Sequence, residues 1–360
     1  MPVGFPTKTT YANGDVFSAD DINSTNGTIN LLTSSTLSSQ AGKNAIINGG
    51  MDIWQRGTSI AGTSGIPHTA DRWQVTRVGA TGYTITRQSS GSTLPEIQYC
   101  LRAQRDSGNT NTTLLGAFYS VESVNSIPFA GKATTLSFYV RKGANYSGGA
   151  LTVEFSQGTG TDQNIISGGF TGKTNVGSSS VTLTTSWQRV TITGTVATTT
   201  TQLGLQFYYT PTGTAGAADY FELTGVQVEY GSVATSFSRA GGTIQGELAA
   251  CQRYYYLANA DNPTGVLGLG TYNQNSEAIG FVSFPVSMRI APTASAASGT
   301  DFWVFWSKNS PDYVNSLTGF GATPTGCGFF NASQASGTAG DAGRWQGVFS
   351  TSLIAFSAEL

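Results

Sequence analysis

Residues 218–256, ADYFELTGVQVEYGSVATSFSRAGGTIQGELAACQRYYY, close one β-rich region and open another. Phe221, Leu223, Val226 and Val228 are interleaved with Glu222, Thr224, Gln227 and Glu229, a period of two with a slip at Gly225 that predicts a strand carrying a bulge. Glycines 241, 242 and 246 then loosen the backbone. Beyond them Leu248, Cys251, Tyr254 and Tyr255 recur at helical spacing and predict a short helix over 247–257. The stretch therefore separates a large β region before it from a smaller one after it.

A chain of 360 residues has room for about two domains with cores of their own. Charged residues make up 11%, against the roughly 25% of ordinary globular proteins, while glycine reaches 46 residues. Regularly spaced aromatic and β-branched runs provide surface to bury, so this composition reads as short strands joined by polar turns rather than as disorder. A formal net charge of -2 supplies no basic footprint for nucleic acid or an anionic membrane. The three cysteines, Cys100, Cys251 and Cys327, are too far apart for a zinc motif and odd in number, and read as buried thiols. The N-terminus lacks the apolar core of a cleaved signal, and no apolar run reaches 18 residues, so the expectation is a soluble chain without membrane insertion.

Upstream of the sandwich, Ser18 and Asp21 form a capping box for a helix with Ile22, Ile29 and Leu32 on one face. Such a narrow apolar stripe is marginal alone and implies packing against copies of itself. A Ser/Thr linker covers 33–43. Nine alternating runs follow, at 72–78, 82–88, 96–105, 134–141, 150–156, 180–184, 187–193, 202–209 and 219–229. With no long helices between them they predict an antiparallel two-sheet sandwich, and a helical turn or two is allowed near 113–124. Residues 129–132 are expected to turn the chain into a central strand that points Leu136, Phe138 and Val140 inward. Residues 259–360 are again strand and turn, with Pro285 marking an edge or bulged strand. In DFWVFWSK, 301–308, Phe302, Val304 and Trp306 face one way and Trp303 and Phe305 the other, so a second chain or domain, or a loop of this one, is expected to cover the extra face.

The segments NAIINGGMDIWQRGTS (44–59), TADRW (69–73), TLTTSWQRVTITGTV (182–196) and GVQVEYGSVATSFSRAGGTIQGELAACQRYYY (225–256) resemble a recurrent module of tailed-bacteriophage virion proteins of the tail-fibre and minor-tail type. TYANGDVFSADDIN (10–23) is similar to segments that begin such proteins, and the sandwich resembles jelly-roll carbohydrate-binding modules. The resemblance covers about 44–256. It implies a mainly β chain: a virion-docking segment and linker at 1–43, a jelly-roll sandwich at 44–240, a connecting helix at 241–257 and a C-terminal β domain at 258–360. It also implies a particle-surface location, other virion proteins and a host glycan as partners, and no catalysis. A capsid decoration or head-fibre protein is the alternative within that class, and a glycan-depolymerising tail enzyme the alternative outside it. A homotrimer is expected from the N-terminal stripe and the two-faced strand, with Ile22, Ile29, Leu32, Trp303 and Phe305 at the interface.

Three chemistries compete for the polar and aromatic residues. His68, the single histidine, lies in a Gly/Pro loop with no nucleophile motif and reads as a surface residue. Asp52, Asp71, Glu96, Glu154, Asp162 and Glu229 could supply a glycosidase pair, but their spacing selects none. For sugar binding, Trp54, Trp73, Trp187, Tyr208 and Tyr209 could stack, with Asp71, Arg72 and Gln74 as hydrogen-bonding arms, although Trp54, Trp73 and Trp187 also have the periodicity of core residues. Trp303, Trp306, Tyr313 and Trp345 in the C-terminal region are equal candidates for that platform. No cofactor is called for. The jelly-roll resemblance allows a structural calcium at Asp52 with Asp219 or Glu222, a set short of the six to eight oxygens calcium takes unless carbonyls and water complete it.

Overall fold

The computed structural model describes residues 42–62, 67–77, 82–259 and 262–360. The N-terminal helix and its stripe of Ile22, Ile29 and Leu32 lie outside the described residues. The first eleven strands are β1 (Ser59–Ala61), β2 (Gln74–Arg77), β3 (Tyr83–Ser89), β4 (Tyr99–Arg105), β5 (Leu115–Ser120), β6 (Ala133–Lys142), β7 (Leu151–Gly158), β8 (Thr174–Val181), β9 (Gln188–Thr195), β10 (Gln202–Tyr209) and β11 (Tyr220–Tyr230). They form a six-stranded sheet ordered β1-β3-β4-β11-β6-β9 and a five-stranded sheet ordered β2-β5-β10-β7-β8. The chain is mainly β, and this part is the antiparallel sandwich that its alternation predicts.

Alternation builds the sandwich core. Leu136, Phe138 and Val140 of β6 do point inward, as do Phe221, Leu223, Val226 and Val228 of β11, and they meet Leu203, Leu205, Phe207 and Tyr209 of β10. Phe138 packs edge-on to Phe207 at 5.0 Å between ring centroids, and Tyr209 does the same to Phe221 at 5.9 Å. Burying each such ring is worth about 1.5–3 kcal/mol. The slip in β11 is a bulge, since the pairing with β6 shifts register between Thr224 and Gln227. Gly225 sits there at φ 58, with Ile97 and Tyr139 too close to admit a side chain.

Two helical readings change. Residues 115–120 form β5, buried on both faces, and the expected turn shrinks to α1 (Ser123–Ser126) with a 3-10 turn at Ile127–Phe129. The connecting helix is α2 (Ile244–Gln252), which begins earlier than its apolar spacing suggests because the Thr243 hydroxyl caps it by accepting from the Gly246 N–H. It also ends earlier. Tyr255 and Tyr256 belong to β12 (Tyr255–Ala258), where an antiparallel partner far along the chain satisfies their backbone.

That partner is β21 (Ile354–Ser357), the middle strand of a three-stranded sheet ordered β12-β21-β15, with β15 at Thr293–Ala296. The remaining strands are β13 (Val266–Gln274), β14 (Glu277–Ser283), β16 (Trp303–Ser307), β17 (Ser310–Val314), β18 (Thr318–Thr323), β19 (Gly326–Asn331) and β20 (Ala342–Gly347). They form a seven-stranded sheet ordered β17-β16-β20-β13-β14-β19-β18. Its inner face, with Tyr272, Trp303, Phe305, Phe329 and Trp345, shares one core with Ile354 and Phe356 of β21. Pro285 lies just past the end of β14, and β14 is an interior strand flanked by β13 and β19 rather than an edge. Proline is tolerated because the ladder has already stopped at Ser283.

Candidate functional site

The residues Asp71, Arg72 and Trp73 are brought together, but inside the protein. Trp73 is fully buried, packs on Tyr119 at 5.0 Å and donates its indole N–H to the Asn48 carbonyl, so it offers no face to a sugar. Asp71 accepts from the Gln55 backbone and side chain, and burial raises its carboxyl to about 6 despite Arg56 and Gln55. Arg72 holds an unfavourable φ of 72 and is kept there by Glu359, by the Ser120 carbonyl at 2.8 Å, and by the Tyr254 ring 3.7 Å from its guanidinium. These contacts form a seam between the sandwich and the C-terminal strands.

The seam is dense in charge. Arg56 donates to Glu359 at 3.1 Å and lies 3.5 Å from the Tyr255 ring centroid. Glu122 accepts from Arg253 at 2.8 Å and from the Tyr254 hydroxyl at 2.6 Å. Arg289 pairs with Asp162 at 3.1 Å and donates to the carbonyls of Ala358 and Glu359. His68 is part of it too, with Nε2 3.7 Å from Glu359, and is not the surface residue its loop suggests. Burial, outweighing the attraction of Glu359, lowers its imidazole to about 4, so it is neutral at pH 7. Burial would raise Glu359, but Arg72, His68 and Arg56 outweigh it and hold the carboxyl at about 2.

The calcium assignments are corrected by the same kind of pairing. Asp52 is bound by Arg239 at 2.7 Å, Asp219 by Arg105 at 2.8 Å, and Glu222 by both Arg102 and Arg141. Each carboxylate is neutralised by a guanidinium, and among the described residues no group of three His, Cys, Asp or Glu side chains could hold a metal ion. Three of the other acids are engaged as well, Glu154 by Lys173, Gln206 and Tyr208, Asp162 by Arg289, and Glu229 by Gln227 and Thr235, while Glu96 is exposed. Trp54 is buried, Trp187 is half-buried with its indole N–H on the Ser90 carbonyl, and Tyr209 is buried.

In the C-terminal domain the structure divides the aromatic candidates by face. Trp303, Phe305 and Trp345 are fully buried in the shared core, so their assignments to an oligomer interface or a sugar platform give way to packing within the chain. The outer face of the same sheet keeps several of its aromatic and aliphatic side chains in the open, while Val304 is buried and Trp306 half-buried there. Leu269 is 76% exposed, Phe281 54%, and Tyr313 and Phe320 45%. Cross-strand pairing sets them in a row: Pro311 opposite Trp306, Trp306 opposite Arg344, Arg344 opposite Leu269, then Phe281 opposite Gly328 and Gly328 opposite Phe320. Gly328 provides the floor, because a Cβ there would lie 2.6 Å from the Phe320 ring.

Two hollows flank Leu269 on this face. One, of about 370 Å³, is lined by Leu269, Thr271, Ile279, Phe281, Phe320 and glycines. The other, of about 330 Å³, is lined by Leu269, Trp306, Lys308, Asn309, Gly343 and Arg344. Ring faces beside a few polar arms are what a pyranose needs, since it presents an apolar C–H face and a hydroxyl rim. Tyr313 and Trp306 are visible from the sequence; Leu269, Phe281, Phe320 and Arg344 are not, because an outward apolar residue in a strand has the same alternation as an inward one.

No protein-family model and no curated protein matches this chain. Solved structures similar to it include the enzymatically active domain of tailspike protein 4 of bacteriophage CBA120, at 10% identity and a TM-score of 0.33 over 52% of this chain. The chain spans only 21% of that tailspike structure. A CBM4 structure is similar at 16% identity and a TM-score of 0.31, covering 51% of this chain and 98% of that one. The CBM22-1 xylan-binding domain of Paenibacillus barcinonensis Xyn10C is similar at 16% identity and a TM-score of 0.31, covering 54% of this chain and 99% of that one.

Proposed function

We propose that this protein is a bacteriophage virion structural protein of tail-fibre type, attached through residues 1–43, whose β domains bind host-surface glycan without cleaving it. The virion assignment is supported by the sequence resemblance at 10–23 and 44–256. The glycan assignment is carried by one observation, the row that runs from half-buried Trp306 past exposed Arg344, Leu269 and Phe281 to Phe320 across the outer face of the seven-stranded sheet. Exposed apolar side chains gathered in one row, with a guanidinium among them, mark a contact site. The test is binding of the full chain to a panel of bacterial capsular and lipopolysaccharide glycans. Trp306→Ala and Phe281→Ala are each expected to weaken binding about tenfold, the loss of one stacking contact, while leaving the thermal transition in place. Unchanged affinity in both variants contradicts the platform, and release of reducing ends from any glycan contradicts the non-catalytic reading.

The working state is a homotrimer. The narrow apolar stripe of Ile22, Ile29 and Leu32 supports it, since such a stripe is stable when copies share it. Light scattering of the full chain is expected to return three chain masses, and a truncation lacking residues 1–43 one. A single chain mass for the full chain at micromolar concentration removes the trimer.

A further inference from the structure

We propose, building on the platform reading, that the hollow between Trp306 and Leu269 is a subsite for a carboxylate-bearing sugar of a surface polysaccharide, with Arg344 as the anchor of its carboxylate. The two hollows on the outer face differ in charge. The one under Phe281 and Phe320 has no ionisable lining, whereas the one beside Trp306 is lined by two cations, Lys308 and Arg344, and by Asn309. Leu269 divides them, so a glycan chain lying along the row would set a neutral ring on one side and an acidic ring on the other.

The cations are not consumed by the protein. Among the described residues Arg344 has no carboxylate within ion-pairing distance, and its recorded contact is with the Trp306 ring, 5.7 Å from the centroid. Lys308 reaches Asp341 at 2.7 Å but is 71% exposed, a pair that water screens and a ligand carboxylate can share. A guanidinium is a planar fork that matches a carboxylate through two parallel hydrogen bonds. Standing over the Trp306 ring, 5.7 Å from its centroid, that of Arg344 is within reach of a carboxylate carried by a sugar seated in the hollow between Trp306 and Leu269.

The hairpin that carries Lys308 adds a second line. β16 and β17 are joined by the two residues Lys308 and Asn309, at φ 51 and φ 61, and Ser307 pairs with Ser310. Such a turn favours Asn-Gly or Gly at its centre, so lysine occupies a strained place that glycine would fill better. A charge kept there against the backbone's preference fits a ligand contact.

The test is calorimetric titration of the full chain with matched oligosaccharides: sialyllactose against lactose, and tetragalacturonate against its methyl ester. In at least one pair the acid is expected to bind about tenfold more tightly than its neutral mate, with the difference closing in about 0.5 M salt. Arg344→Gln is expected to abolish that preference, so that within the variant the acid binds no more tightly than its neutral mate. Lys308→Gly is expected to reduce the preference while raising the thermal transition, which separates ligand contact from folding. Equal affinity within both pairs overturns the acidic subsite and leaves the platform standing. Absence of binding by every glycan overturns both. Competition by polyglutamate as effective as by the acidic sugar overturns the assignment to carbohydrate.

Discussion

Arg105→Ala is expected to destabilise the sandwich by about 3–5 kcal/mol, the largest effect of any single polar substitution described. Arg105 and Asp219 are both fully buried and lie 2.8 Å apart. The guanidinium also donates to the carbonyls of Asn109, Asn111 and Gly213, each at 2.9 Å, and to the Ser147 hydroxyl at 3.0 Å. It thereby ties the end of β4 to three loops at one end of the sandwich. Removing it leaves the Asp219 carboxylate buried with the Ser147 N–H and hydroxyl and the more distant Tyr209 hydroxyl as donors, and takes one donor from each of three carbonyls. The penalty comes from the uncompensated buried carboxylate more than from the loss of the pair itself. The double variant Arg105→Met with Asp219→Leu is therefore expected to be more stable than Arg105→Ala alone. Thermal unfolding followed by tryptophan fluorescence checks this, with a fall of about 10 °C expected for Arg105→Ala. A fall under about 2 °C contradicts the role given to this pair.

The second large effect is at the seam. Glu359 has a folded-state pKa held at about 2, below its ordinary 4.5, so its contribution is complete above pH 4.5 and is lost as the pH falls through 2. The depression is worth about 3 kcal/mol. His68, lowered from 6.5 to about 4, loses stability as the pH falls across that interval, because the unfolded chain takes up the proton first. Asp71 has the opposite sign: raised from 3.8 to about 6, it contributes fully below 3.8 and loses that contribution as the pH rises through 6. Between pH 4 and 6 the last two nearly cancel. Stability is therefore expected to be flat from pH 7 to about 4 and to fall steeply below, where of these three groups Glu359 acts. Glu359→Gln is expected to cost about 3 kcal/mol at pH 7 and to flatten the curve below pH 4. Thermal transitions at pH 7, 5 and 3 decide it, and an unchanged acid slope in the variant places the titration elsewhere.

Much of the sandwich was legible because many of its strands alternate apolar residues aimed at the core with polar residues on the other face. β10 is read at 202–209 and found there, and Gly225 announces its own bulge. β5 escaped because LGAFYS is buried on both faces and shows no alternation. β8 lies earlier than its apolar end suggests, since TNVGSSSV offers little but serine to a periodicity argument. The site was harder to read. A carboxylate's fate depends on which arginine arrives from far along the chain: Asp219 and Arg105 are separated by 114 positions. The two-faced run at 301–308 shows that both faces are apolar, yet which face is core follows only from where β21 lies.

The placement of β21 also imposes an order of assembly. Within its sheet Tyr255–Ala258 pairs with Ile354–Ser357 alone, Tyr255 opposite Ser357. The earlier segment, held meanwhile by the Gln55 side chain at the Tyr255 carbonyl and the Leu257 N–H, thus lacks its strand partner until about a hundred further residues have been synthesised and brought back to it. Closing so long a loop is entropically slow, and the seven-stranded sheet lies within the intervening chain. Completion of the C-terminal core and closure of the Arg72–Glu359 contact become late, nearly simultaneous events, because Glu359 follows Ser357 by two residues.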